Sequence, residues 1–322
     1  MMNTLQIVYA THRPESMEFT ERIMRRHEVI VLEEPPHPDF SAMLTGSVDL
    51  ESYLLEHDLE YHDFSLQQCT ILQHAHRTGK TIHQVEPFLQ ELLTIHEFFA
   101  AGHAPAELDP ATLRYQVYLR EKEATKALID YYQAVRSDHF PAILLAMKTF
   151  ARADVARLRL RDKLRAEQIL TMLHPGEDIY IEAGPIHLLL ERHLRRGLPA
   201  GWSLKTCFVE HQALARLGLR GSLYSPGDEL TIGYLLRSSI SARREELLCA
   251  RALIFAKIIT KEEMNGNGND FPHTRNEYET IRLVRPLSLT DCQELFFRTR
   301  SLSTREAAAV VKKHVAAATL LN

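Results

Sequence analysis

Two histidines and four glutamates in this 322-residue chain stand where short apolar runs give way to turns. His12 follows Leu5 to Ala10 (LQIVYA), and Glu33 and Glu34 close the run that begins EVIVLE, just before Pro35-Pro36. Glu86 follows TIHQV and precedes Pro87, while Glu182 sits in DIYIEA, which leads through Gly184-Pro185-Ile186 to His187. A neutral imidazole and a carboxylate together serve either to ligate a divalent metal or to move protons in general acid–base catalysis. The competing reading is chance placement, since Glu is common near strand ends and the chain has 17 His.

A second set lies in the helical pattern at 141–174. Positions 155, 158, 162, 165, 169 and 172 follow an alternating three-and-four spacing that lines one helix face. They are Val155, Leu158, Asp162, Arg165, Ile169 and Met172, so two charges interrupt an apolar stripe, with Arg161 beside them. Buried ions need partners. Asp162 and Arg165 could satisfy each other at i, i+3, or pair with Glu121 or Glu123 on the preceding helix. Alternatively, Arg161 or Asp162 reaches the strand-end cluster, where Arg would hold a substrate oxyanion and Asp would orient a His.

The elements that must position these groups follow from hydropathy. Strands are expected at 5–10, 28–33, 81–85, 178–183 and 204–210, separated by helical patterns at about 14–27, 48–57, 64–78, 88–100, 110–137, 141–174 and from 185. The first strand, helix and second strand form a βαβ unit, which makes those strands parallel neighbours. Beyond residue 211 the chain reads as mostly helical, with Asn265 to Asp270 (NGNGND) as a loop before a helical tail at about 274–320. The fold class expected is α/β: a central parallel or mixed sheet of about five strands with a helix-rich periphery and a helical C-terminal part. Residues 1–210 form the α/β core that carries the site, and 211–322 a helical part packed on it. In open α/β sheets ligands bind at the carboxyl ends of the strands, where the polar residues converge.

Composition narrows the function. Lys plus Arg total 38 against 42 Asp plus Glu, a net charge of −4, which disfavours general nucleic-acid binding. No apolar run reaches the roughly 20 residues of a membrane helix, and the N-terminus reads as a strand, so the expectation is a cytoplasmic protein without a membrane partner. Four isolated cysteines, Cys69, Cys207, Cys249 and Cys292, lack any CxxC spacing and read as reduced thiols. The histidines at 57, 62, 74, 76, 83 and 96 show no recurring ligand spacing. HExxH, GxSxG and P-loop signatures are absent.

Taken in order, Ile7 to Ser16 (IVYATHRPES), Val29 to Glu34 (VIVLEE), Leu160 to Arg165 (LRDKLR) and Tyr180 to His187 (YIEAGPIH) resemble the TraB/Tiki, ChaN-like and erythromycin-esterase-like superfamily over about residues 5–195. The resemblance implies a mixed α/β core with a site built from its motif histidines and glutamates. His12 matches the histidine after the first strand, and Glu33 or Glu34 the glutamate closing the second. Arg161 and Asp162 match the charged helical pair, and His187 the end of Gly-x-x-His. Tiki-like members are metal-dependent peptidases, erythromycin esterases open a lactone, and ChaN-like members bind haem. Tyr9 departs from the pattern, standing where a Gly is usual.

The expected function is therefore a hydrolase acting on an ester, lactone or amide in a small-molecule or peptide substrate. His12, Glu33 or Glu34, Glu86 and His187 would hold a divalent transition metal or activate water directly. Glu33 or Glu34 would be the base, with Arg161 and Asp162 assisting and Glu182 in reserve. The alternative is a haem, iron or small-ligand binding protein using Tyr9, His12 and His187. A further possibility is oligomerisation through the small-residue face Ala307, Ala308, Val311, Val315 and Ala318 of the last helix. Replacing His12 or His187 by Ala is expected to abolish turnover while leaving the thermal transition nearly intact.

Overall fold

The computed structural model describes residues 3–55, 61–266 and 270–320. Its five strands are β1 (Asn3–Tyr9), β2 (Val29–Leu32), β3 (Thr81–Gln84), β4 (Ile179–Ala183) and β5 (Trp202–Phe208). They form one sheet in the order β3-β2-β4-β1-β5, and every pairing is parallel. The expected α/β class holds. The expected adjacency of β1 and β2 does not, because β4 lies between them. A strand flanked on both sides and covered on both faces reads as an unbroken apolar run. All five residues of β4 and all four of β2 are buried, whereas the edge strands β3 and β5 keep partly exposed positions.

Fourteen helices are seen among the described residues. In the first half they are α1 (Met17–Met24), α2 (Phe40–Thr45), α3 (Leu50–Leu55), α4 (His62–Arg77), α5 (Pro87–Ala100), α6 (Leu113–Ala134) and α7 (Phe140–Thr171). The second half has α8 (Leu188–Gly197), α9 (Val209–Arg216), α10 (Pro226–Leu235), α11 (Ala242–Ile258), α12 (Pro272–Val284), α13 (Leu289–Thr299) and α14 (Thr304–Leu320). No described helix is long and apolar enough to cross a membrane. The helical pattern expected at 48–57 appears as α3, its last two positions lying outside the described residues.

The chain divides into two compact units, one of residues 1–118, 158–219 and 265–269 and the other of 119–157, 220–264 and 270–322. A single cut at 210/211 is therefore not the division observed. It falls at 219/220, after α9, and the second unit also draws on the middle of the chain through parts of α6 and α7.

Alternation along the strands organises the first unit. Leu5, Ile7 and Tyr9, Val29 and Val31, and Ile179, Ile181 and Ala183 share one sheet face and pack on Ala166 and Ile169 of α7 and Leu190 and Leu194 of α8. Residues of opposite parity, among them Ile30, Leu32, Tyr180 and Glu182, point to the other face and are also buried. The second unit is helical and centred on α11. Leu248, Cys249, Leu253 and Ile254 pack with Ile143 and Leu144 of α7, Cys292 and Leu295 of α13, and Ala307 and Val311 of α14. Ala307 and Val311 are thus buried inside this unit and Ala308 and Val315 partly so, while Ala318 of the same face is exposed. Cys69, Cys249 and Cys292 are buried and Cys207 half-buried, all as free thiols.

Replacing Ala307 by Leu is expected to overpack the second unit's core and lower stability by about 1–3 kcal/mol in urea unfolding. Its mass by light scattering is expected to match the parent chain's. A mass change without loss of stability would show that the face serves an interface.

Candidate active site

Glu33 follows β2 with the parity of Val29 and Val31, so its side chain emerges on the sheet face covered by α7 and α8. There it meets every strong partner in the rim. Its Oε1 lies 2.8 Å from Nε2 of His187, and its Oε2 accepts the Gly184 amide at 2.7 Å. Arg165 approaches Oε2 at 3.3 Å and Arg161 approaches Oε1 at 3.5 Å. On the far side of the imidazole, Nδ1 of His187 lies 2.5 Å from Oδ1 of Asp162. The second oxygen of Asp162 accepts the Leu189 and Leu190 amides at 3.0 and 3.1 Å, at the start of α8. A carboxylate suits the positive end of a helix, and this one anchors α8 to α7.

Arg165 does not pair with Asp162. Its Nε donates to the Val85 carbonyl at 2.9 Å and one terminal nitrogen to the Glu182 carbonyl at 2.6 Å, so it ties the ends of β3 and β4 to α7. The i, i+3 ion pair is thereby corrected: each charge in the stripe has its own partners across the rim. Glu121 pairs instead with Arg157 at 3.2 Å. Arg161 reaches Glu86, whose side chain is fully buried, at 3.3 Å. Formally, Glu33, Glu86 and Asp162 balance Arg161, Arg165 and His187.

The proton positions follow from these contacts. Burial alone would pull the His187 imidazole down, but Glu33 and Asp162, one at each nitrogen, hold it up to about 9. Burial alone would raise Glu33, yet His187, Arg165 and Arg161 keep it well below the usual carboxylate range. The result is an imidazolium clamped between two carboxylates.

Glu182 and Glu34 have the opposite parity and belong to the other sheet face. Burial raises the Glu182 carboxyl, the nearby His12 opposing the shift and the Glu34 and Glu33 charges adding to it. Glu182 accepts Gln68 Nε2 of α4 at 2.8 Å and the Glu33 amide at 3.1 Å, which links the two faces. Glu34 accepts Gln84 Nε2 at 3.0 Å. It does not join the Glu33 cluster: past the end of β2 its side chain turns to Gln84 and the space beside α3 and α4. His12 is exposed and stacks on Phe64 of α4 with ring centroids 4.9 Å apart, also apart from the Glu33–His187 pair.

Of the residues expected at the site, Glu33, Glu86, Arg161, Asp162 and His187 therefore converge, while His12 and Glu34 stand on the other side of Glu182. Arg165 and Gln68 complete the arrangement. Arg165 was signalled as a charge in an apolar stripe; Gln68, an ordinary position on an amphipathic helix, carried no signal. His57 lies outside the described residues.

The expected metal does not fit this donor set. A metal-bound imidazole offers one nitrogen to the ion and donates from the other, whereas both His187 nitrogens are engaged by carboxylates. Among the described residues no group of three or more His, Cys, Asp or Glu is arranged to hold a metal ion. Haem ligation by Tyr9 or His187 fits no better. Tyr9 is fully buried and stacks on Phe208 at 4.5 Å, which leaves His12 as the accessible residue of the three.

No family model matches the chain, and no solved structure does. An uncharacterized protein of Archaeoglobus fulgidus is 26% identical over 295 residues, covering 91% of this chain and 98% of its own length. The likeness thus extends over both units and carries no activity with it.

The raised imidazolium fixes a pH dependence. The folded chain binds the His187 proton more tightly than the unfolded chain, whose ordinary value is 6.5, so this stabilisation is complete below about 6.5 and is lost as pH rises through about 9. Urea unfolding is expected to show lower stability at about pH 9.5 than at neutrality. His187→Gln should remove that fall and cost about 3–5 kcal/mol at neutral pH, because it strands buried carboxylates. Exposed His12 is expected to accept Ala with its thermal transition nearly intact, whereas buried His187 is not. Parallel pH profiles in the two proteins would contradict the clamped imidazolium.

Proposed function

We propose that the chain is a hydrolase of esters, lactones or amides in which Glu33 is the base and Arg161 the oxyanion donor. The supporting observation is the Asp162–His187–Glu33 series at the carboxyl ends of β2 and β4, with Arg161 alongside. Arg161 is the most exposed member, its side chain 17% accessible. Its contacts to Glu33 and Glu86, at 3.5 and 3.3 Å, are long, and its Nε is buried without a hydrogen-bond partner. Donors held loosely by the protein are available to an oxygen that gains charge in the transition state.

In this reading the water oxygen adds to the substrate carbonyl carbon while its proton passes to the Glu33 carboxylate. Arg161 turns its donors to the carbonyl oxygen as that oxygen becomes negative. Doing so withdraws one positive neighbour from Glu33, which makes the carboxylate a better base at the moment it is needed. Collapse of the tetrahedral intermediate breaks the C–O or C–N bond, and the leaving group takes the proton back from Glu33. His187, Asp162 and Arg165 are positioning residues: they fix the Glu33 carboxylate and keep its environment charged and ordered. His12 and Glu182 border the site from the opposite face. The resemblance to a superfamily that includes lactone hydrolases and peptidases agrees in order of motifs.

A panel of chromogenic esters, lactones and anilides tests the proposal. The parent chain is expected to turn over at least one member. Arg161→Lys should lower kcat by about 10²–10³-fold, the loss typical of a missing oxyanion donor, and Glu33→Gln should abolish turnover. Hydrolysis that survives Glu33→Gln in a folded variant would overturn the assignment.

A further inference from the structure

The face that Glu34 occupies has a cavity of its own. It measures about 370 Å³ and lies among the β2 end, α3 and α4. That is roughly a dozen water volumes at about 30 Å³ each, and it falls at the small end of ligand pockets. Cys69 and Leu72 of α4 form apolar wall, buried Tyr53 of α3 joins the lining, and Leu93 of α5, 50% exposed, stands at the edge. Gln68 also lines the cavity. The same side chain donates to Glu182, whose other oxygen holds the Glu33 amide, so the cavity adjoins the base through two hydrogen bonds.

Its electrostatics are one-sided. Glu34 is half-buried in the lining together with His37, and no Lys or Arg joins them there. Among the described residues the Glu34 carboxylate takes one hydrogen bond, from Gln84, although such a group can accept about four. Burial pushes the Cys69 thiol up to about 12, and the Glu34 charge adds to the shift. A half-desolvated carboxylate with no Lys or Arg in its lining favours a ligand that brings a cation. An apolar wall beside it favours a ligand whose charge sits on an apolar body.

We propose that this cavity is a subsite for an apolar group bearing a protonated amine. The cavity lining includes neither Glu33 nor Arg161, so this proposal stands apart from the hydrolase reading. Anionic ligands would meet Glu34 with no Lys or Arg in the lining to offset it and are disfavoured.

Calorimetric titration of the full chain with 2-phenylethylammonium and with the neutral 2-phenylethanol tests the subsite. The ammonium is expected to bind at least about tenfold more tightly, one charge-assisted hydrogen bond's worth. Glu34→Gln should erase that preference while the alcohol's affinity stays unchanged. Backbone amide shifts in the parent chain provide a measurement independent of any variant, and the ammonium is expected to perturb Glu34, Tyr53 and Leu72. Equal binding of the two probes, no binding of the ammonium, a preference that persists in Glu34→Gln, or shifts confined elsewhere would each overturn the subsite. The probes are not hydrolysed, so the two readings separate. A chain that binds the ammonium here but turns over none of the panel keeps the subsite and loses the hydrolase, and one that hydrolyses without binding the ammonium does the reverse.

Discussion

A cation buried between two carboxylates organises the end of this sheet. His187 is 5% exposed, and neither Glu33 nor Asp162 could be left there alone without a penalty of several kcal/mol. Each supplies what the other charges lack. Asp162 closes the series on the α8 amides, Glu33 closes it on Gly184 and two arginines, and Arg165 pulls the ends of β3 and β4 toward α7. The arrangement needs all its members, which makes its geometry rigid.

Rigid charge of this kind is weak evidence for stability and better evidence for preorganisation. A stability-only design would do as well with apolar residues of similar volume. Arg161 and Arg165 each keep one donor without a hydrogen-bond partner, and Arg161 is the more exposed of the two, its side chain 17% accessible against 1%. Strand parity then divides labour across the sheet. Glu33, on the α7 face, is held by charge, whereas Glu34, one residue on, faces the cavity lined by α3 and α4. Glu182 joins the two through its bonds to Gln68 and to the Glu33 amide.

Much of this was legible in the sequence. The five strands and the placing of Glu33, Glu86 and His187 at their ends follow from apolar runs that end in polar residues, while Asp162 and Arg161 were signalled by charges in and beside an apolar helix stripe. Strand order was not legible: a βαβ unit suggests neighbours, and only the fully buried pattern of Ile179–Ala183 hints that β4 is central. The partner choices of Arg165 and Asp162 were hidden for a similar reason. Their spacing permits a local pair, but burial leaves each with unsatisfied capacity that only other elements can meet. The choice between Glu33 and Glu34 depends on which sheet face carries α7, a tertiary fact, although the shared parity of Val29, Val31 and Glu33 is plain in the sequence. Two units that interleave along the chain likewise escape a reading that seeks a single boundary.

The protonation state of His187 tests the structure of the site most directly. In protein labelled with ¹⁵N at histidine, the ring signals absent from His187→Gln identify this residue. At pH 7.5 both its nitrogens are expected to carry protons, with a titration midpoint near 9. A neutral ring with one protonated nitrogen at that pH would contradict the clamp between Glu33 and Asp162.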